Sequence, residues 1–202
     1  MGVSLRQFEQ LQDRLKGRRR SPEPVPGNGS LGAHPAHTVV LGIDPSLRGT
    51  GYGVVESRQR VIRAVAQGVV TCPTAWPRSR CLAQISVAMR EVVRDHRPTV
   101  CVVEGLFYAQ NLQTALAMGE ARGASLAAVA EAGLEVYEIA PRKVKQAMVG
   151  HGAAQKLAVA RMVQRRLELA ETPAADAADA LALALTYLQE QGRYLLSPLK
   201  RV

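Results

Sequence analysis

The stretch "TVVLGIDPSLRGTGYGVVESRQRVIRAVAQGVV", residues 38–70, decides the fold. It holds three β-type runs. "TVVLGID" (38–44) is apolar almost to its end, the mark of a buried strand, and it closes on a carboxylate, Asp44. A turn with Pro and Gly, "PSLRGT", leads to "GYGVVES" (51–57), and "RVIRAVAQGVV" (60–70) follows at once. Short connections of this kind predict a three-stranded antiparallel meander. Beyond residue 70 the period changes. Leu82, Ile85, Met89, Val92 and Val93 share one face of a helix over 78–96, and "TVCVVEG" (99–105) is a fourth, fully apolar strand. A long helix rich in small residues spans 109–131, a fifth strand "LEVYEIA" spans 134–140, and Pro141 opens a short helix, "PRKVKQAMV". "GHG" (150–152) breaks it. A helix over 153–169 and an alanine-rich helix from Pro173 complete the pattern. Three antiparallel strands followed by strand–helix alternation predict an α/β domain: a five-stranded mixed sheet with helices on both faces.

The 202 residues suffice for one such domain with tails. We expect the domain over 38–188. Residues 1–37 read as an appended arm: a weak amphipathic pattern (Leu5, Phe8, Leu11, Leu15), then "GRRR", then "SPEPVPGNGSLGAHPAH", whose Pro, Gly and Ser content reads as disordered linker. Residues 189–202 read as a C-terminal tail. Hydrophobic residues make up 47% of the chain but aromatics only 4%, so the core must be built from Ala, Val and Leu. The formal net charge of +9 points to a polyanionic partner. The arm carries six basic and three acidic residues and the tail three and one, so the tails hold +5 and the domain +4. Cys72, Cys81 and Cys101 form no CxxC and no zinc-ligand spacing, and an odd count without a secretory signal suggests a reducing cytoplasm. No apolar run approaches the roughly 20 residues needed to span a bilayer.

Charged residues at the ends of apolar runs carry the chemistry. Asp44 closes the first strand and Glu104 the fourth. If those strands are parallel neighbours, both carboxylates emerge at one sheet edge, where open α/β sheets place their sites. The helix "PAADAADALALAL" (173–185) adds Asp176 and Asp179, three residues apart and therefore on one face. A structural reading competes here: Thr172 can cap, Pro173 suits the first helical position, and Asp in the first turn is favoured by the helix dipole. That explains Asp176 better than Asp179. Four carboxylates at one edge repel one another, and a hard divalent cation removes the conflict. Two such ions about 4 Å apart can activate water and steady the leaving oxygen of a phosphodiester.

The stretches "LGIDPSLRGTGYGVV", "VVEGLFYAQN", "VKQAMVGHGAAQK" and "ADAADALALAL", in this order, resemble the RuvC family of Holliday-junction resolvases over about residues 38–188. The resemblance implies a ribonuclease-H-like fold. It implies that Asp44, Glu104, Asp176 and Asp179 are the catalytic metal ligands for two Mg²⁺ ions, with Mn²⁺ able to substitute. It also implies a four-way DNA junction as substrate, a homodimer, and cooperation with a junction-binding protein and a branch-migration motor. The family commonly has glycine where Ser46 stands here, which suggests a local change in the turn.

DNA contacts are expected from Arg142, Lys143 and Lys145 on the short helix and from Lys156 beyond "GHG", where glycines before a helix can cradle phosphate. The family's DNA-contacting lysines fall on Lys145 and Lys156, and Lys156 is expected to polarise the scissile phosphate. His151 alone reads as a loop residue. Phe107, beside Glu104, is either core or a platform that stacks on a base exposed at the junction, with Tyr108 in support. Opposed nicks in a two-fold junction call for two sites, most simply in a C2 dimer, and "ALAMGEARGA" (115–124) supplies small residues for close helix approach. Three other readings compete. An actin-like ATPase or sugar kinase would need a second lobe that about 150 core residues leave no room for. A non-catalytic DNA-binding module would lack a carboxylate, and none is missing. A related ribosomal-RNA-processing nuclease is the nearest rival; the Phe107 region and the lysine-bearing stretch favour the resolvase.

Overall fold

The structure is a computed structural model that describes residues 37–59, 61–105, 112–191 and 199–202. Phe107, Tyr108 and the N-terminal arm up to residue 36 lie outside the described residues. The first three strands are β1 (His37–Asp44), β2 (Gly49–Arg58) and β3 (Val61–Thr71), paired antiparallel in succession. Next come α1 (Arg78–His96), β4 (Val100–Glu104), α2 (Leu112–Glu131) and β5 (Val136–Ile139). Then α3 (Pro141–Val149), α4 (Lys156–Arg166) and α5 (Ala175–Gln191) follow without intervening strands.

The sheet order is β3-β2-β1-β4-β5-β6. β4 runs parallel to β1, and β5 parallel to β4. The expected count of five strands is therefore one short. The sixth, β6 (Lys200–Arg201), pairs antiparallel with β5 through Tyr137–Arg201 and Glu138–Lys200. Two charged residues carry no apolar alternation, so the pattern that reveals the other strands is absent from this one.

Side chains alternate across the sheet as the two-residue period requires. Val40, Val100 and Val102 face a core completed by α3, α4 and α5, with Met148, Val159, Val163 and Leu183 buried in it. Val39, Leu41, Ile43, Cys101 and Val103 face the opposite core, closed by Ile85, Met89 and Val92 of α1 and Ala121, Ala128 and Val129 of α2. Helices thus cover both faces, as the pattern predicts. Cys101 is fully buried, and burial pushes its thiol up to about 12, consistent with a packing role. Among the described residues no helix is long and apolar enough to cross a membrane.

The alanines of α5 predict its close approach to the sheet; the strand glycines that complete the seat were not anticipated. Gly42 on β1 and Gly51 and Gly53 on β2 lie beneath it. A Cβ on Gly42 would overlap the Ala180 carbonyl oxygen, and one on Gly51 would overlap that of Asp176. A Cβ on Gly53 would come within 2.7 Å of the Leu181 side chain. The helix backbone therefore rests on the strand backbones. Alanines 177, 178, 180, 182 and 184, all buried, complete the fit from the helix side. Helix alanines and strand glycines together bring the first turns of α5 down to the sheet.

Candidate active site at the carboxyl ends of β1 and β4

The β1–β4 ladder runs in parallel from Val40–Val100 to Ile43–Val103, so the next residues, Asp44 and Glu104, leave the sheet at the same edge. Asp176 and Asp179 reach that edge from the first turns of α5. All four line one cleft of about 420 Å³, together with Lys145 of α3, Lys156 of α4, and Thr114 and Met118 of α2. Each of the four acids is partly exposed.

The turn after Asp44 is rigidly tied. Thr50, fully buried, donates its hydroxyl to the Ser46 carbonyl at 2.6 Å and accepts from the Ser46 N–H at 3.2 Å. Arg48 donates to the carbonyls of Pro73 and Trp76, and its own carbonyl accepts from Cys72 N–H at 3.1 Å. Ser46 is one of the residues lining the cleft.

The two pairs of acids settle their charge differently. Asp44 and Glu104 stand close enough for each to shift the other's proton affinity. Burial, then the Glu104 and Asp179 charges, push Asp44 up to about 8. Burial foremost, then the Asp179 charge, also raises Glu104. Asp179 instead accepts from Lys156 at 2.9 Å, and that bond raises the lysine, with the charges of Asp179, Asp44 and Asp176 adding to it. Lys156 is the first residue of α4, which follows Gln155 without a side-chain cap.

Among the described residues no three acidic, histidine or cysteine side chains stand together as a set that could hold one ion. The donor chemistry nevertheless fits a hard divalent cation. Among the described residues, those lining the cleft offer carboxylate oxygens and no thiolate or imidazole. Ionisation of Asp44, which burial opposes, would add a second carboxylate beside Glu104 at the same edge.

The remaining expected contacts divide. Lys145 and Lys156 line the cleft, whereas Arg142 and Lys143 do not. Arg142 is exposed and its side chain lies over Gly152. Lys143 pairs with the buried Glu190 of α5 at 2.5 Å. Gly150 ends α3 at φ 91°, and His151 is exposed in the loop, away from the cleft lining. Thr172 does not cap α5: its hydroxyl donates to Gln164 at 2.6 Å, and the helix begins at Ala175. The contributions of α2 were missed. Thr114 and Met118 had no signal beyond their place on a small-residue helix.

A family model described as crossover junction endodeoxyribonuclease RuvC matches residues 40–187. The chain belongs to the RuvC family. Crossover junction endodeoxyribonuclease RuvC of Alkalilimnicola ehrlichii is 48% identical over 151 residues, 75% of this chain and 91% of the relative. That of Akkermansia muciniphila is 46% identical over 149 residues, 74% of this chain and 89% of the relative. The solved structure of T. thermophilus RuvC in complex with Holliday junction substrate matches with a TM-score of 0.72 at 36% identity, covering 82% of this chain and 99% of its own. The mixed sheet described above is thus the ribonuclease-H-like sheet of the RuvC family, and Asp44, Glu104, Asp176 and Asp179 all fall within the matched span.

Proposed function

We propose that this chain is a metal-dependent endonuclease that resolves four-way DNA junctions by paired, symmetric nicks. The observation that carries the reading is the convergence of four carboxylates and two lysines on one cleft, in a chain of the RuvC family. Asp44, Glu104, Asp176 and Asp179 would hold Mg²⁺, with Mn²⁺ as a substitute. The metal, two ions in our reading, supplies an activated water and charge neutralisation at the phosphodiester.

The protein's own groups do the rest. Asp44, whose carboxyl burial raises, would be ionised when it acts as a ligand beside Glu104. Lys156 exchanges Asp179 for a phosphate oxygen and meets the charge that develops there. Lys145 holds the strand entering the cleft. Hydrolysis leaves a 5′-phosphate and a 3′-hydroxyl. Arg142 and Lys143 bind backbone phosphate away from the cleft, Lys143 at the cost of its pair with Glu190. Phe107 and Tyr108 stack on bases at the crossover. The outward face of α2, with exposed Leu112 and Leu116 and open space around Gly119 and Gly123, joins a second copy in a homodimer. Junction-binding and branch-migration proteins act with it on cytoplasmic DNA.

The test is cleavage of a synthetic immobile four-way junction against linear duplex of the same sequence, with Mg²⁺ and with Mn²⁺. Paired nicks in the junction alone, lost in Glu104→Gln while the junction is still bound, are expected. Equal cutting of duplex, or preferential cutting of structured RNA, would overturn the assignment in favour of a general or RNA-processing nuclease.

A further inference from the structure

Among the described residues, Arg122 on α2 is the one arginine or lysine that is buried, with 7% of its surface exposed. A guanidinium taken out of water must be paired to be tolerated. Its two prongs go to different partners. Nη1 donates to the backbone carbonyl of Glu104 at 2.5 Å, and Nη2 donates to Glu138 Oε2 on β5 at 2.6 Å.

The place of that first bond matters. The β1–β4 ladder ends at Ile43–Val103, one residue short of Glu104. On the β5 side, Glu104 lies opposite Ile139, and Gly105 N–H donates to the Ile139 carbonyl at 2.9 Å. The peptide from which the Glu104 side chain springs is therefore held by one strand and by Arg122. Glu138 is itself anchored: Lys200 of β6 pairs with its other oxygen at 3.1 Å. A line of contacts runs from the sixth strand through Glu138 and Arg122 to the backbone of a cleft acid. The charges that bear on the Glu104 carboxyl itself are those of Asp179, Lys156 and Lys145, so Arg122 works through the backbone rather than as a counter-charge.

We propose that Arg122 is a positioning residue for DNA cleavage: braced by Glu138, it fixes the Glu104 peptide and so aims the Glu104 carboxylate into the cleft. This rests on the nuclease reading above. A rigid support of this kind matters because displacement of a reacting group by about 1 Å can cost on the order of 10²-fold in rate.

The experiment uses the full-length protein, with Arg122→Gln, Arg122→Lys and Glu138→Gln beside wild type. Single-turnover cleavage of a four-way junction, junction affinity without metal, and the Mn²⁺ concentration that gives half the thermal shift are measured for each. Arg122→Gln leaves Glu138 paired with Lys200, so no charge is stranded. It is expected to cut on the order of 10²-fold more slowly, to bind the junction within about twofold of wild type, and to need more Mn²⁺ for half its thermal shift. Lysine keeps the charge but not the two-pronged bridge, so Arg122→Lys should recover part of the rate. A folded Arg122→Gln that cuts within about twofold of wild type overturns the proposal, as does a loss of rate matched by an equal loss of junction affinity. If Arg122→Gln does not fold at the assay temperature, Arg122→Lys and Glu138→Gln decide: slowed cutting with unchanged junction affinity supports the proposal, and wild-type rates in both overturn it. Wild type that leaves junctions uncut would overturn the nuclease reading itself, a separate outcome.

Discussion

The two pairs of acids reach one cleft by different means. Asp44 and Glu104 are delivered by strand register: two parallel neighbours end together, and burial with the neighbouring charges raises the Asp44 carboxyl. Asp176 and Asp179 are delivered by a helix pressed onto glycines, and Asp179 is answered by a lysine that is two-thirds exposed. The strand pair is brought to one edge by backbone ladder bonds, with Arg122 and Thr50 as its side-chain supports. The helix pair depends on the absence of three methyl groups. Equal charges are thus held with unequal tolerance, and that inequality can be tested.

The largest effect is expected where the helix is seated. Gly51→Ala drives a Cβ into the Asp176 carbonyl, and the backbone on both sides resists. Overpacking should cost about 1–3 kcal/mol in urea unfolding, and the displaced aspartates should slow junction cleavage by about 10²-fold. Met89→Leu, a volume-conserving change in the core of the opposite face, should cost less than about 1.5 kcal/mol and leave cleavage unchanged. Similar losses from the two substitutions would erase the proposed contrast.

The strand pair should reveal itself through pH. Asp44 is raised from 3.8 to about 8 in the folded protein. Between those values the folded state holds a proton that the unfolded chain has released. Its contribution to stability is therefore full below about pH 4 and declines as pH rises to about 8. In EDTA, wild type should lose stability across that window relative to Asp44→Asn, which lacks the group. Parallel pH profiles for the two proteins would mean that no proton is stored there.

A smaller loss is expected from the turn that carries Asp44. Thr50→Val keeps the shape but removes both bonds to Ser46, leaving backbone groups unpaired at about 1–3 kcal/mol. Chemical denaturation measures it, and an unchanged midpoint would show that water replaces the hydroxyl.

The smallest effect belongs to Asp179→Asn without metal. The sequence suggests that the apo protein should gain stability from the loss of a repelling charge. The structure sets against this an ion pair with Lys156, worth about 0–1 kcal/mol at such exposure. The two effects oppose each other, and the melting temperature should barely move. The shift that Mn²⁺ produces should shrink, because a ligand that binds the native state stabilises it in proportion to its affinity.

Much of this was legible in the residues. The apolar runs ending in Asp44 and Glu104 read as buried strands, whose acids meet at one edge if the strands are parallel neighbours, and the i, i+3 spacing puts Asp176 and Asp179 on one face. Strand periodicity and helix faces are local, so they survive in the sequence. What was missed depends on contacts between distant segments. "GTGYG" reads as hairpin chemistry, because nothing nearby says that a helix more than a hundred residues later lies on it. Arg122 sits among small residues in "GEARGA" with no sign of its partners on β4 and β5. Lys143 reads as a free cation until α5 brings Glu190 to it, and Lys200 and Arg201 read as a tail until β5 offers an edge.

The glycine seat also fixes when activity can arise during synthesis. Asp44 and Glu104 leave the ribosome early, but the helix that supplies Asp176 and Asp179 is the last one of the sheet domain to emerge. Without α5 the seat formed by Gly42, Gly51 and Gly53 would lie uncovered, and the proposed site would hold two of its four acids. Contacts of such long range form late and slowly. In the proposed reading, cutting therefore has to wait for the docking of α5.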